Sequence, residues 1–251
     1  MNAAIAWGHS LTAYIVFVIF VATLIRSTLG FGEALVAVPL LALRTPVALA
    51  APLAVLVSIV VASAIVLQDW RRIDLRSAAG LVAATLVGIP LGLLLLARVD
   101  DRVVKLLLGV IVIAFAAYAL AARRRHAADG HHTPWLIACG FAAGVLGGAY
   151  GMNGPPLVVY GMRRGWSPQQ FRATLQGYFL PASVAGMIGY GRIGLWGGSV
   201  TRYFAWSLPA VAAAVLIGRA INDRVPAVLF RRLVYAGLIV TGAVLALEAI
   251  G

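Results

Sequence analysis

The run "VVKLLLGVIVIAFAAYAL", from Val103 to Leu120, fixes most of what this chain can become. It carries one charge, and a helix of about 20 such residues is what crosses the hydrocarbon of a bilayer. Pro46 to Leu67 is a second run of this kind, with no charge at all. The runs are continuous and do not alternate, which argues against a transmembrane β-barrel. Only 11% of the chain is charged and 62% is hydrophobic, too little polar surface to cover a soluble globule. The expected fold class is an all-α polytopic membrane protein.

The formal net charge is +12, and nineteen of the 20 cationic residues are arginine. They fall in short connections between apolar segments, so topology and lipid headgroups account for them, and nucleic acid is not expected as a partner. Cys139 is the single cysteine and makes no intramolecular disulfide. The first residues, "MNAAIAWGHS", have no cationic stretch of the kind that opens a cleaved signal peptide.

The chain repeats itself. "LGFGEALVAVPLL" is echoed by "GAYGMNGPPLVVY", and setting Gly32 on Gly151 gives an offset of 119 residues. Asp-Arg-Val stands at 101–103 and again at 223–225, an offset of 122. Two landmarks in the same order point to an internal duplication, with repeats over 1–125 and 126–251. Each repeat reads as an apolar pair broken by glycines, 11–29 with 33–43 and 135–148 with 154–162. Three spans follow: 46–67, 77–97 and 103–122, then 172–189, 202–218 and 228–249.

Two readings of the broken pair remain. A hairpin gives each repeat an odd number of crossings and inverts the repeats; a kinked single crossing leaves them parallel. Under the hairpin reading thirteen cationic residues lie on one side and six on the other, with Arg26 inside the membrane. The kinked reading gives eleven against eight. Positive charge gathers on the cytoplasmic side, so hairpins, an inverted repeat and both termini outside the cytoplasm are expected. The second arms are too short to span ~30 Å and must end against protein or a water-filled cavity.

These glycine-broken hairpins resemble the TauE/SafE family of membrane anion exporters, from about Leu24 to Leu247. The resemblance rests on Gly30-Phe31-Gly32 with Val38-Pro39-Leu40 and on "LQDWRRIDLRSAAGLVAATLVGIPLGLLLLARVDDRVVKLLLG". In the second half it rests on "FAAGVLGGAYGMNGPPLVVYG" and "FRRLVYAGLIV". Family members carry a run of three glycines after each bend; here Gly32-Glu33-Ala34 and Gly151-Met152-Asn153-Gly154 replace it. The resemblance implies export of sulfite, related sulfur oxyanions or organosulfonates across the inner membrane.

A broken helix exposes free N–H groups at the start of its second arm, and the helix dipole there favours an anion. The residues expected to bind substrate are Arg26, Ser27, Gly30, Gly32 and Glu33 at the first bend, and Tyr150, Gly151, Asn153 and Gly154 at the second, together with Gln176 early in the following span. Arg26 offers a planar fork for two oxygens, or else a structural partner for Glu33. Glu33 is either a cap on the second arm or a carboxyl that exchanges Arg26 for a proton when anion binds. Thr174, Gln176 and Tyr178 line the path or serve the core. Gly140, Gly144 and Gly148, four apart, serve packing.

No nucleotide-binding, HExxH or Ser–His pattern occurs, so an enzyme and a resident cofactor are not expected. His9, His126, His131 and His132 fall in or near loops and suggest solvated loop more than a metal site. Alternatives to export are uptake of the same anions, or a non-transporting scaffold or lipid-handling protein. Substrate and lipid are the expected partners, with the oligomeric state left open.

Overall fold

The computed structural model describes residues 2–121, 133–164, 166–222 and 227–250. They form ten helices and no strand: α1 Asn2–Leu29, α2 Glu33–Ala42, α3 Val47–Asp69, α4 Leu75–Arg98, α5 Asp101–Ala121, α6 Thr133–Tyr150, α7 Gly154–Arg164, α8 Pro168–Arg192, α9 Gly198–Asn222 and α10 Ala227–Ile250. Arg123 to Arg125, His126, His131, His132 and the second Asp-Arg-Val lie outside the described residues.

Among the described residues, six stretches are long and apolar enough to cross a membrane: Ser10–Thr28, Val47–Leu67, Leu75–Arg98, Asp101–Ala121, Thr133–Tyr150 and Gly198–Gly218. The molecule is a multi-pass membrane protein. At 25 residues α8 is also long enough, but its buried Thr174, Gln176, Tyr178 and Ser183 dilute its apolar character. It begins earlier than the expected residue 172. Ser167 caps it, accepting from the Gln170 amide at 3.2 Å, and Pro168 sits where a missing N–H costs nothing. α1 likewise starts before the expected residue 11.

Both glycine-broken pairs fold as hairpins. Gly30 and Gly32 take left-handed φ angles of 84° and 99°, Gly151 one of 65°, a region side-chain-bearing residues rarely enter. The chain then doubles back. Near the C-terminal end of α2, the Leu40 carbonyl accepts from the Tyr14 hydroxyl of α1, and the Arg44 guanidinium lies over the Tyr14 ring, 4.7 Å from its centroid. In the second pair Arg163, at the end of α7, lies 4.6 Å over Trp135 at the start of α6. The returning arms have 10 and 11 residues. At 1.5 Å per residue each covers only about 15 Å.

The long helices pair across the two halves: α4 on α6, α1 on α9, α3 on α8 and α5 on α10. The α4–α6 crossing is closest because glycines line both sides. A Cβ on Gly144 would stand 2.3 Å from the Thr85 carbonyl oxygen, and one on Gly92 2.1 Å from that of Val145. Gly140, Gly144 and Gly148 all face α4 in this way. Backbone contact of this kind replaces hydrophobic driving force where lipid is as apolar as the side chains.

Candidate functional site

The two bends meet at one small pocket. From the first hairpin it takes Arg26, Phe31 and Gly32 and the first turn of α2, Glu33 to Leu35. Gly151 to Asn153 and the first turn of α7, Gly154 and Pro155, form the opposite wall. Ser58 of α3 and Phe179 of α8 close the sides. Two helix N-termini therefore front one small space, an arrangement that attracts negative charge.

The N-termini are unequal. α2 opens on Glu33-Ala34-Leu35, each with a backbone N–H and no side-chain cap at Gly32. α7 opens on Gly154-Pro155-Pro156, and the prolines remove two of its donors.

Arg26 is 2% exposed. Its Nη1 donates to Glu33 Oε2 and to Ser58 Oγ at 2.8 Å. Its Nη2 donates to Gln176 Oε1 at 2.6 Å, while Nε has no partner. The guanidinium carbon lies 5.1 Å over the Phe179 ring, a contact that favours a cation. Glu33 is equally buried and also accepts from Thr23 Oγ1 at 2.9 Å. Its carboxylate is turned to α1 and Arg26. A buried pair of this kind owes its existence to its remaining hydrogen bonds as much as to its charges.

Gln176 does not line the pocket. It stands behind Arg26, and its Nε2 donates to the Gly30 carbonyl at 2.7 Å. One amide from α8 thus holds both the arginine and the bend. Ser27 is buried with an unpartnered hydroxyl and is not part of the lining. Tyr150 is also outside it; its hydroxyl donates to the Val104 carbonyl at 3.1 Å and ties α6 to α5. Arg26, Gly32, Glu33, Gly151, Asn153 and Gly154 are brought together.

Asn153 rests on a neutral network. Its Nδ2 donates to the Ala143 carbonyl at 3.2 Å and to Tyr178 Oη at 3.3 Å, and Tyr178 shares a 2.6 Å hydrogen bond with Thr85. Tyr178 and Thr174 are buried in helix contacts, Thr174 accepting from the Asp74 amide at 3.0 Å. Ser58 and Phe179, which line the pocket, are not among the expected site residues. For Ser58 the available signal was one of two serines, with Ser63, in an otherwise apolar span.

Bends, short arms and a buried arginine define a polytopic membrane protein with a broken-helix pocket. The chain belongs to the sulfite exporter TauE/SafE family, which it matches over residues 15–245. It is 28% identical over 182 residues to the probable sulfite/organosulfonate exporter TauE of Cupriavidus necator, covering 72% of this chain and 70% of that one. No solved structure matches it.

Proposed function

We propose that the protein is a secondary transporter that moves a small sulfur oxyanion or organosulfonate outward across the inner membrane. The observation that carries the reading is Arg26, a fork-shaped cation with an unpartnered Nε, facing a pocket fronted by two helix N-termini. A charge at this depth is costly and marks a substrate path. Family membership and the relative's printed name favour the same class of anion.

In the proposed cycle the incoming anion takes Arg26 from Glu33, and a proton takes the freed carboxylate. Both exchanges are local, because Arg26, Glu33 and Ser58 already touch. The two halves, 1–125 and 126–251, act as inverted repeats that rock about the pocket. Hairpin closure of both broken pairs supports this parity, as does the contact of Arg164 with Asp74. In the hairpin reading the α3–α4 and α7–α8 connections that make this contact share a face. The arginine-rich face is then cytoplasmic and both termini lie outside.

The test is anion efflux from proteoliposomes. Arg26→Lys replaces the fork with a point charge and is expected to reduce sulfite flux about tenfold. Arg26→Ala is expected to abolish it. Undiminished flux in properly folded Arg26→Ala would overturn the reading.

A further inference from the structure

We propose that the pocket selects anions with a single negative charge and discriminates against dianions. This rests on the transport reading above and narrows the substrate class of the same site. Among its lining residues there is one formal cation, Arg26, and one carboxylate, Glu33. With Glu33 ionised, the positive charge of Arg26 is already matched. With a proton on Glu33, one positive charge is released. Neither state offers two. A dianion would therefore keep an uncompensated charge in a place where water is largely excluded, the most expensive condition for an ion.

The helix termini do not supply the missing charge. The N-terminus of α2 already acts on Glu33, which stands in its first turn. α7 opens on Pro155 and Pro156 and has fewer N–H groups to offer. Both arms are so short that the negative end of each dipole lies only about 15 Å away.

The uncharged lining agrees. Phe31, Met152, Pro155 and Phe179 are apolar, while Ser58 and Asn153 are the neutral hydrogen-bonding side chains. Phe31, Met152 and Phe179 are 8%, 1% and 7% exposed. The lining thus offers one charged anchor for a head group and apolar surface for a short carbon substituent. The fit is to a monoanionic sulfonate, or to sulfite in its singly charged form.

The pH dependence belongs to Glu33 and the ligand. α1, α3, α5 and α10 pack against α2. Among described side chains, their charged groups are Arg26 on α1, Asp101, Arg102 and Lys105 on α5, and Glu248 on α10. Asp101 and Lys105 pair with each other at 3.1 Å, and Glu248 is exposed. From α8, Gln176 faces Arg26. Arg26 alone among the charged groups bonds Glu33.

The experiment is equilibrium binding to the purified protein, measured with methanesulfonate, sulfate and sulfite from mildly acidic to mildly alkaline pH. Wild type is expected to bind methanesulfonate at least about tenfold more tightly than sulfate. In Glu33→Gln, methanesulfonate affinity should become flat with pH. Sulfite affinity should still fall about tenfold per pH unit above its own second ionisation, because the ligand itself becomes a dianion. Sulfate within twofold of methanesulfonate in wild type would overturn monoanion selection and leave anion transport standing. So would a flat sulfite profile in Glu33→Gln. If none of the three ligands binds wild type, the anion site itself fails, and both readings with it.

Discussion

At the scale of single residues, Gln176 carries more than its place in the sequence suggests. It accepts from Arg26 and donates to the Gly30 carbonyl across some 150 residues of chain. Gln176→Leu strands a guanidinium N–H and a carbonyl, each at a cost of about 1–3 kcal/mol. The expected result is a lower Tm together with weaker anion binding. Gln176→Glu keeps the shape but places a second carboxylate on Arg26, so it should weaken binding more than it lowers Tm. Calorimetry and ligand titration on both variants check the split; equal losses in the two variants would make Gln176 a packing residue only. The sequence showed Arg26 and Glu33 because charges stand out in an apolar chain. It offered them as partners of each other but did not show which neutral side chains hold Arg26. Ser58 and Gln176 lie 32 and 150 residues from Arg26, and no local spacing encodes partners that far apart.

Among the elements, the α3–α4 connection is a clasp. Asp74 caps α4 by accepting from the Ser77 amide at 3.1 Å and hydroxyl at 2.7 Å. It also faces the Arg164 guanidinium at 3.9 Å. Burial pushes its carboxyl up, but the Ser77 hydrogen bonds and Arg164 outweigh that and leave it below its usual value. A depressed carboxyl stabilises fully above its unfolded pKa, and that contribution is lost as pH falls through the lower folded one. Asp74→Ala should therefore destabilise by about 1 kcal/mol at neutral pH. The Tm gap to wild type should close in acid, below about pH 4. Asp74→Asn keeps a capping oxygen and should cost less. A gap that persists unchanged in acid would remove the carboxylate from the account. The clasp was partly legible: Asp74 and Ser77 have capping spacing, whereas Arg164 becomes a neighbour only through the hairpin of α6 and α7.

For the molecule as a whole, apolar periodicity and glycines revealed the order of segments. Glycines mark the bends at Gly30, Gly32 and Gly151 because few other residues tolerate their φ angles. Ends were less legible, since α1 and α8 extend past the apolar core that marks them. At α8 that extension rests on the Ser167 cap, which apolar periodicity does not register. The proposed inverted orientation of the halves makes its own prediction. A cysteine replacing Arg71 and one replacing Arg163 should react with an impermeant thiol reagent from the same face, and one replacing Arg192 from the other. Labelling of Arg71→Cys and Arg163→Cys from opposite faces would return the kinked topology.

The pairing of one cation with one carboxylate has an electrical consequence. If a singly charged anion enters only with a proton on Glu33, the cargo that crosses is neutral. The turnover then carries no current, and the membrane voltage, which would otherwise act on each moving charge with about 2.3 kcal/mol per 100 mV, neither drives nor opposes it. Direction is left to the product of anion and proton concentrations on the two sides. The same pocket would discharge the anion from a cell that produces it and admit it to an alkaline cell that lacks it.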